Sequence, residues 1–230
     1  MNLRLPGAVL LAAIWLAGPA GLAGQQAAPA PPVNYDSLPV APDSVAWARL
    51  VNIRTLDSTI RVDARYAGSD NFTGAPLPGY EANAALLRRE AAEALVRVQK
   101  RLATGDLGLK VWDGYRPRRA TLAMVDWCER TGRTSLLDDG YIARRSRHNL
   151  GLAVDLTLVD LARGTELPMG TAFDTFSDSA HTANAEGRVR TYRQLLVRAM
   201  EAEGFKNYDQ EWWHFSFEAP DPQPYDVPVR

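Results

Sequence analysis

The sequence predicts a single α+β domain whose mostly antiparallel sheet is flanked by helices. Three observations lead there. Hydrophobic residues make up 46% of the 230 and charged residues 23%, enough apolar material for one core of ordinary domain size. Segments of helical period and segments of strand alternation are interspersed without the regular strand–helix–strand rhythm of a parallel sheet. The one cysteine, Cys128, excludes an intramolecular disulfide framework and any cysteine-rich metal site.

The chain opens with an address. Arg4 is the only charge in Met1–Gly24, an apolar run spans Ala8–Ala17, and small residues follow at Ala20, Gly21, Ala23 and Gly24. That is the pattern of a secretory signal peptide, residues 1–24. The apolar run is half the roughly 20 residues a membrane-spanning helix needs, so no stable membrane insertion is expected after cleavage. Residues 25–45 are rich in Pro, Ala and Gln and read as a linker, which leaves 46–230 as the folded unit. An exported, periplasmic protein is the expectation.

Glu81–Ala103 carries strong helix formers and an apolar stripe from Leu86 to Leu102 and predicts a helix. Leu109–Trp112 alternates as a strand and runs into the turn Asp113-Gly114-Tyr115-Arg116-Pro117. Pro117 suits a helix start, and Arg118–Arg130 continues at helical spacing, with Leu122, Met124, Val125 and Cys128 as its apolar side. Leu152–Val159 alternates as a strand that puts Ala153, Asp155 and Thr157 on one face. Ala185–Glu203 predicts a further helix and Trp212–Glu218 a last strand.

Lys and Arg number 26 against 27 Asp and Glu, without the basic excess of a nucleic-acid binder, and none is expected as a partner. The chemistry must therefore come from few groups. There are three histidines, and two stand near carboxylates: Ser146-Arg147-His148-Asn149-Leu150-Gly151-Leu152-Ala153-Val154-Asp155, and Glu211-Trp212-Trp213-His214. A catalytic zinc takes three N/O ligands and leaves one position open, and His148, Asp155 and His214 supply such a set. Gly151 lets a loop-borne His148 and a strand-borne Asp155 approach one ion. Glu211, three residues from His214, can stand beside the metal as a general base. His181 has no ligand partner nearby and reads as structural.

Ser-x-His-x-x-Gly-x-Ala-x-Asp followed by Glu-x-x-His resembles the zinc D-Ala-D-Ala metallopeptidases. Tyr66–Gly74, Trp112–Pro117 and Met169–Phe176 resemble their dipeptidase branch, the vancomycin-resistance type, so the likeness spans about residues 50–230. It implies one Zn²⁺ on His148, Asp155 and His214, with Glu211 as catalytic base. It implies further that Arg116 stabilises the oxyanion, that Asp174 holds the substrate ammonium, and that Ser146 and Tyr66 contact substrate. A helix cap is the alternative for Asp174, and Asp70, Asn71 and Gly74 read first as turn chemistry. The implied reaction is hydrolysis of D-alanyl-D-alanine to two D-alanines in cell-wall dipeptide turnover. The alternatives are a D,D-carboxypeptidase trimming peptidoglycan stems and a zinc-stabilised module that binds wall fragments without catalysis.

Overall fold

A computed structural model describes residues 38–230. The export signal read at 1–24 and most of the linker read at 25–45 lie outside the described residues. The linker boundary needs correction. Helix α1 (Asp43–Arg49) occupies its last three residues, and the buried Ala41 already donates its N–H to Pro224 O at 2.9 Å.

Strand β1 (Leu50–Asn52) follows, then a single turn, α2 (Ile53–Leu56), capped by Asn52, and the short strand β2 (Arg61–Val62). β3 (Leu86–Arg88) pairs antiparallel with β1, Leu50 opposite Arg88 and Asn52 opposite Leu86. The helix predicted from Glu81 therefore begins later, as α3 (Arg89–Ala103). Leu86 and Leu87 fit a helical stripe equally well, but here they extend a two-stranded ladder, a tertiary pairing that no local period encodes. Ala91, Ala94, Leu95, Val98 and Leu102 do form the buried face of α3.

Next come β4 (Leu107–Asp113), α4 (Arg118–Arg130), the short α5 (Ser135–Asp138) and β5 (Ala153–Asp160). Met124 and Cys128 are buried in α4, whereas Leu122 is 53% exposed and drops out of the apolar side read for this helix. The chain closes with α6 (Gly187–Glu201), β6 (Phe205–Tyr208) and β7 (Glu211–Phe217). α6 is shorter than the span 185–203 read from sequence.

The main sheet has the order β2-β4-β5-β7-β6. Its pairs are antiparallel except β2 with β4, which are parallel, so the fold is α+β with a mostly antiparallel sheet. β5 is central and buried along nearly its whole length. Leu156 and Leu158 face the core formed with α3 and α6. A second apolar cluster, with Met124, Cys128, Tyr115 and Tyr225, underlies α4 and the C-terminal segment. Among the described residues no helix is long and apolar enough to cross a membrane.

Candidate active site

Strand register assembles half of the site. Asp113 on β4 pairs with Asp155 on β5, and Asp155 pairs with His214 on β7, so three polar side chains stand in one row across the sheet. The fourth group, His148, comes from a 3-10 turn, Arg147–Leu150, that enters β5 through Gly151. Ser146 caps this turn by accepting the His148 N–H at 3.2 Å, and Ser146 N donates to Asn149 Oδ1 at 3.3 Å. Gly151 ends the turn in the left-handed region at φ 65°, and a Cβ there would lie 2.6 Å from Leu50 Cδ2. Only glycine meets both demands.

The three donor atoms converge. His148 Nε2 is 3.2 Å from His214 Nδ1 and 3.3 Å from Asp155 Oδ2, and His214 Nδ1 is 2.9 Å from Asp155 Oδ1. Tetrahedral coordination with bonds of about 2.0–2.1 Å sets ligand atoms about 3.3 Å apart, so this donor set fits one zinc-sized ion. His148 Nδ1 lies 2.6 Å from Gly114 O, a contact that orients the ring with Nε2 toward the cluster. Burial pulls His214 below its usual range despite Asp155, so its ring is neutral near pH 7 and can donate a lone pair. Burial acts to raise the Asp155 carboxyl, but the two imidazoles outweigh it and hold the group ionised.

Arg116 sits beside this cluster and is buried. Its Nε donates to Asp113 Oδ2 at 2.9 Å and its second guanidinium nitrogen lies 2.8 Å from the same oxygen, while Asp155 Oδ2 is 3.7 Å away. Burial would favour a neutral guanidine, but Asp113, Tyr66, Tyr80 and Asp155 overcome it, and Arg116 stays cationic. Asp113 is itself fixed by the Tyr80 hydroxyl at 2.5 Å. Gly114, next to it, has no room for a side chain: a Cβ would stand 2.6 Å from Leu86 O.

Tyr66, whose ring centroid lies 5.1 Å from the Arg116 guanidinium carbon, donates its hydroxyl to Asp174, 3.1 and 3.2 Å from the two carboxylate oxygens. Asp174 caps no helix. It occupies the left-handed region at φ 58° in the 169–181 loop. Arg193 of α6 holds that loop through three carbonyls, donating to Met169 O at 2.8 Å, His181 O at 2.7 Å and Ser179 O at 3.1 Å. Burial, reinforced by the negative Asp155, pushes the Asp174 carboxyl up to about 8. Burial and the same anion push Glu211 well above the usual carboxylate range. Glu211 Oε2 is 3.9 Å from His214 Nδ1, close to the cluster but outside bonding contact. Two residues three apart on a regular strand face opposite ways. Here the β6–β7 pairing jumps from Asn207↔Phe215 to Tyr208↔Glu211, and the irregularity turns Glu211 and His214 toward one space.

That space is a cavity of 280 Å³. It is lined by the three candidate ligands and by Glu211, Arg116, Asp174, Ser146 and Tyr66, so every site residue read from the sequence reaches it. Tyr141 and Tyr208 line it as well. His181 lies behind Tyr141, whose hydroxyl is 3.2 Å from its Nε2, and takes no part in the donor cluster. The sequence reading missed Asp113, Gly114 and Arg193. The first two stood inside the motif it quoted. Arg193 left no signal, because an arginine on a helix ordinarily reads as a solvated charge.

Fold and site point to a hydrolase built around a single cation, and the family comparison sets the class. The family model described as D-ala-D-ala dipeptidase, Peptidase_M15, matches residues 47–228, and the chain belongs to this family of metallopeptidases. It is 39% identical to a D-alanyl-D-alanine dipeptidase of Enterococcus faecium over 189 residues, covering 74% of this chain and 93% of that one. It is also 39% identical to a D-alanyl-D-alanine dipeptidase of Streptomyces coelicolor over 191 residues, covering 76% and 95%. Among solved structures it is similar to the vancomycin-resistance D,D-pentapeptidase VanY, solved in complex with Zn(II). There the identity is 17%, the coverage 60% of this chain and 76% of that one, and the TM-score 0.37, a likeness too distant to bear on chemistry.

Proposed function

We propose that this enzyme hydrolyses D-alanyl-D-alanine to two D-alanines with one zinc ion held by His148, Asp155 and His214. The observation that carries the reading is the convergence on one 280 Å³ cavity of a three-donor cluster, a buried carboxylate outside that cluster, a buried cation and the second carboxylate Asp174. A zinc ion in such a site lowers the pKa of water to about 7 and polarises a carbonyl.

The chain's own groups do the rest. Glu211, raised by burial, takes a proton from the attacking water and returns one to the leaving amine. Arg116, pinned by Asp113, meets the negative charge that develops on the carbonyl oxygen. Because Asp113 fixes it beforehand, little reorganisation is needed during reaction. Asp174, supported by Tyr66, receives the dipeptide ammonium, and Ser146 lies along the path of its other polar groups. Holding both ends aligns the scissile bond, and a cavity near the lower end of the usual ligand-pocket range of about 300–1,000 Å³ excludes longer chains.

An export signal at 1–24 would put the enzyme outside the cytoplasm. Its substrate there would be dipeptide released from the wall, since the cytoplasmic precursor pool lies across the membrane. The deciding experiment compares D-Ala-D-Ala with an N-acylated D-Ala-D-Ala on zinc-loaded protein. Release of D-alanine from the free dipeptide alone is expected. Efficient cleavage of the acylated substrate would instead indicate a carboxypeptidase, and binding without cleavage a wall-fragment sensor.

A further inference from the structure

We propose that Asn149 is a positioning residue: it ties the turn that carries His148 to the turn that carries Arg116, and so fixes where the guanidinium stands relative to the metal donors. Asn149 is 5% exposed, belongs to the Arg147–Leu150 turn and does not line the catalytic cavity. Its amide is nonetheless fully engaged. Nδ2 donates to Arg116 O and to Thr121 Oγ1, each at 2.9 Å, and Oδ1 accepts the Ser146 N–H at 3.3 Å. Arg116 O can only accept and Ser146 N only donate, so the amide has one possible orientation.

The backbone of Arg116 is held on both sides by the ligand turn. Its N–H donates to His148 O at 3.1 Å, and its C=O accepts from Asn149 Nδ2. Asp113 holds the far end of the same side chain. Of the two backbone ties only the second runs through a side chain, so the residue type at 149 decides it. Behind it, Tyr225 N donates to Asn149 O at 2.9 Å and Arg118 N to Tyr225 O at 3.1 Å, so the C-terminal segment joins the two turns a second time. Loss of the amide should therefore loosen Arg116 without parting the turns. Looseness matters because an oxyanion donor acts only if it stands in place beforehand, and a misplacement of about 1 Å can cost about 10²-fold. That this placement serves dipeptide hydrolysis rests on the proposed function; the tie itself does not.

The test pairs kinetics with NMR on zinc-loaded protein. Asn149→Ala and the isosteric Asn149→Asp should keep one equivalent of zinc. Each should lower kcat for D-Ala-D-Ala about ten- to fiftyfold, with KM changed by about twofold or less. In an Arg116→Ala background Asn149→Ala should cost only about twofold or less, because nothing remains to be positioned. Thr121→Val removes the other acceptor of the same amide and should lower Tm with kcat kept within about twofold. The readout independent of activity is the Arg116 Nε–H resonance, identified by its loss in Arg116→Ala. Buried and bonded to Asp113, it should exchange with solvent about tenfold faster or more in the Asn149 variants and stay as in wild type in Thr121→Val. Unchanged Nε–H exchange in both Asn149 variants, or kcat losses that multiply in the double variant, would overturn the proposal. So would loss of zinc, which would make His148 the target, or a kcat loss in Thr121→Val as large as in Asn149→Ala, the mark of a merely structural role. Should wild type fail to hydrolyse D-Ala-D-Ala, the proposed activity falls, and the Nε–H exchange decides the tie.

Discussion

Asp155 and His214 face each other across the β5–β7 ladder, with Asp155 Oδ1 2.9 Å from His214 Nδ1. Two of the three candidate ligands are thus set by strand register, the most rigid relationship a sheet offers. The third, His148, hangs on a capped turn whose ring is fixed by the Gly114 carbonyl. Asp113 stands on the other side of Asp155 in the same row and holds Arg116, so one line of residues across the sheet positions two of the candidate metal donors and the cation.

Metal removal is the most direct check of that cluster. Chelation should abolish hydrolysis, and one equivalent of Zn²⁺ should restore it. Bound at 100 times its dissociation constant, the ion adds about 2.7 kcal/mol of stability. For a domain of this size that is worth roughly 2–4 °C in Tm per kcal/mol. His214→Ala should lose both the metal equivalent and the zinc-dependent Tm gain; an unchanged metal content would remove His214 from the ligand set.

Glu211 is expected to work without binding the metal. Glu211→Gln should retain a full equivalent of zinc while kcat falls about 10²–10⁴-fold, the usual contribution of a general base. Metal analysis and steady-state kinetics on the same preparation decide it. Loss of zinc in this variant would make Glu211 a ligand instead.

Arg116 should act chiefly in the transition state. Arg116→Ala is expected to lower kcat about 10²–10³-fold with a small change in KM. Asp113→Asn should move kcat in the same direction by a smaller factor, because it loosens the guanidinium without deleting it. A pure KM effect in Arg116→Ala would contradict a role at the oxyanion.

Asp174 gives a pH signature with a definite sign. Its carboxyl stands at about 8 in the folded protein against an ordinary 3.8, so between those values the folded state holds a proton that the unfolded state has released. That contribution to stability is lost as pH rises from about 4 through 8. In metal-free protein, Asp174→Asn should therefore raise Tm relative to wild type at pH 9 and leave it nearly equal at pH 4. Substrate binding runs the other way, since the ammonium needs the carboxylate. In wild type kcat/KM should climb toward pH 8, with the limb moved lower once zinc offsets the Asp155 charge. Asp174→Asn should flatten that limb and cost about 1.5–3 kcal/mol, roughly ten- to hundredfold in kcat/KM. A limb that persists in the variant assigns it to another group.

Much of the site was legible because its chemistry is written in short motifs. A chain with three histidines, two of them beside carboxylates, leaves few ways to build a metal cluster, and Asp-Gly-Tyr-Arg-Pro marks a turn that delivers an arginine. Helical and strand periods likewise located the bodies of α3, α4, β5 and β7. Tertiary structure alone decided the rest. Leu86 and Leu87 fit a helix until β1 offers them a ladder. The irregular β6–β7 pairing turns Glu211 and His214 to one side, against the two-residue period of a strand. Asp113 is set for its hold on Arg116 by the distant Tyr80 hydroxyl and by its pairing with β5, and Arg193 acts on carbonyls 12 to 24 residues away. Local sequence encodes which groups are present and how each segment prefers to bend. Register, burial and long-range hydrogen bonds depend on the whole chain packing at once, and these set the distances and the charge states on which the chemistry turns.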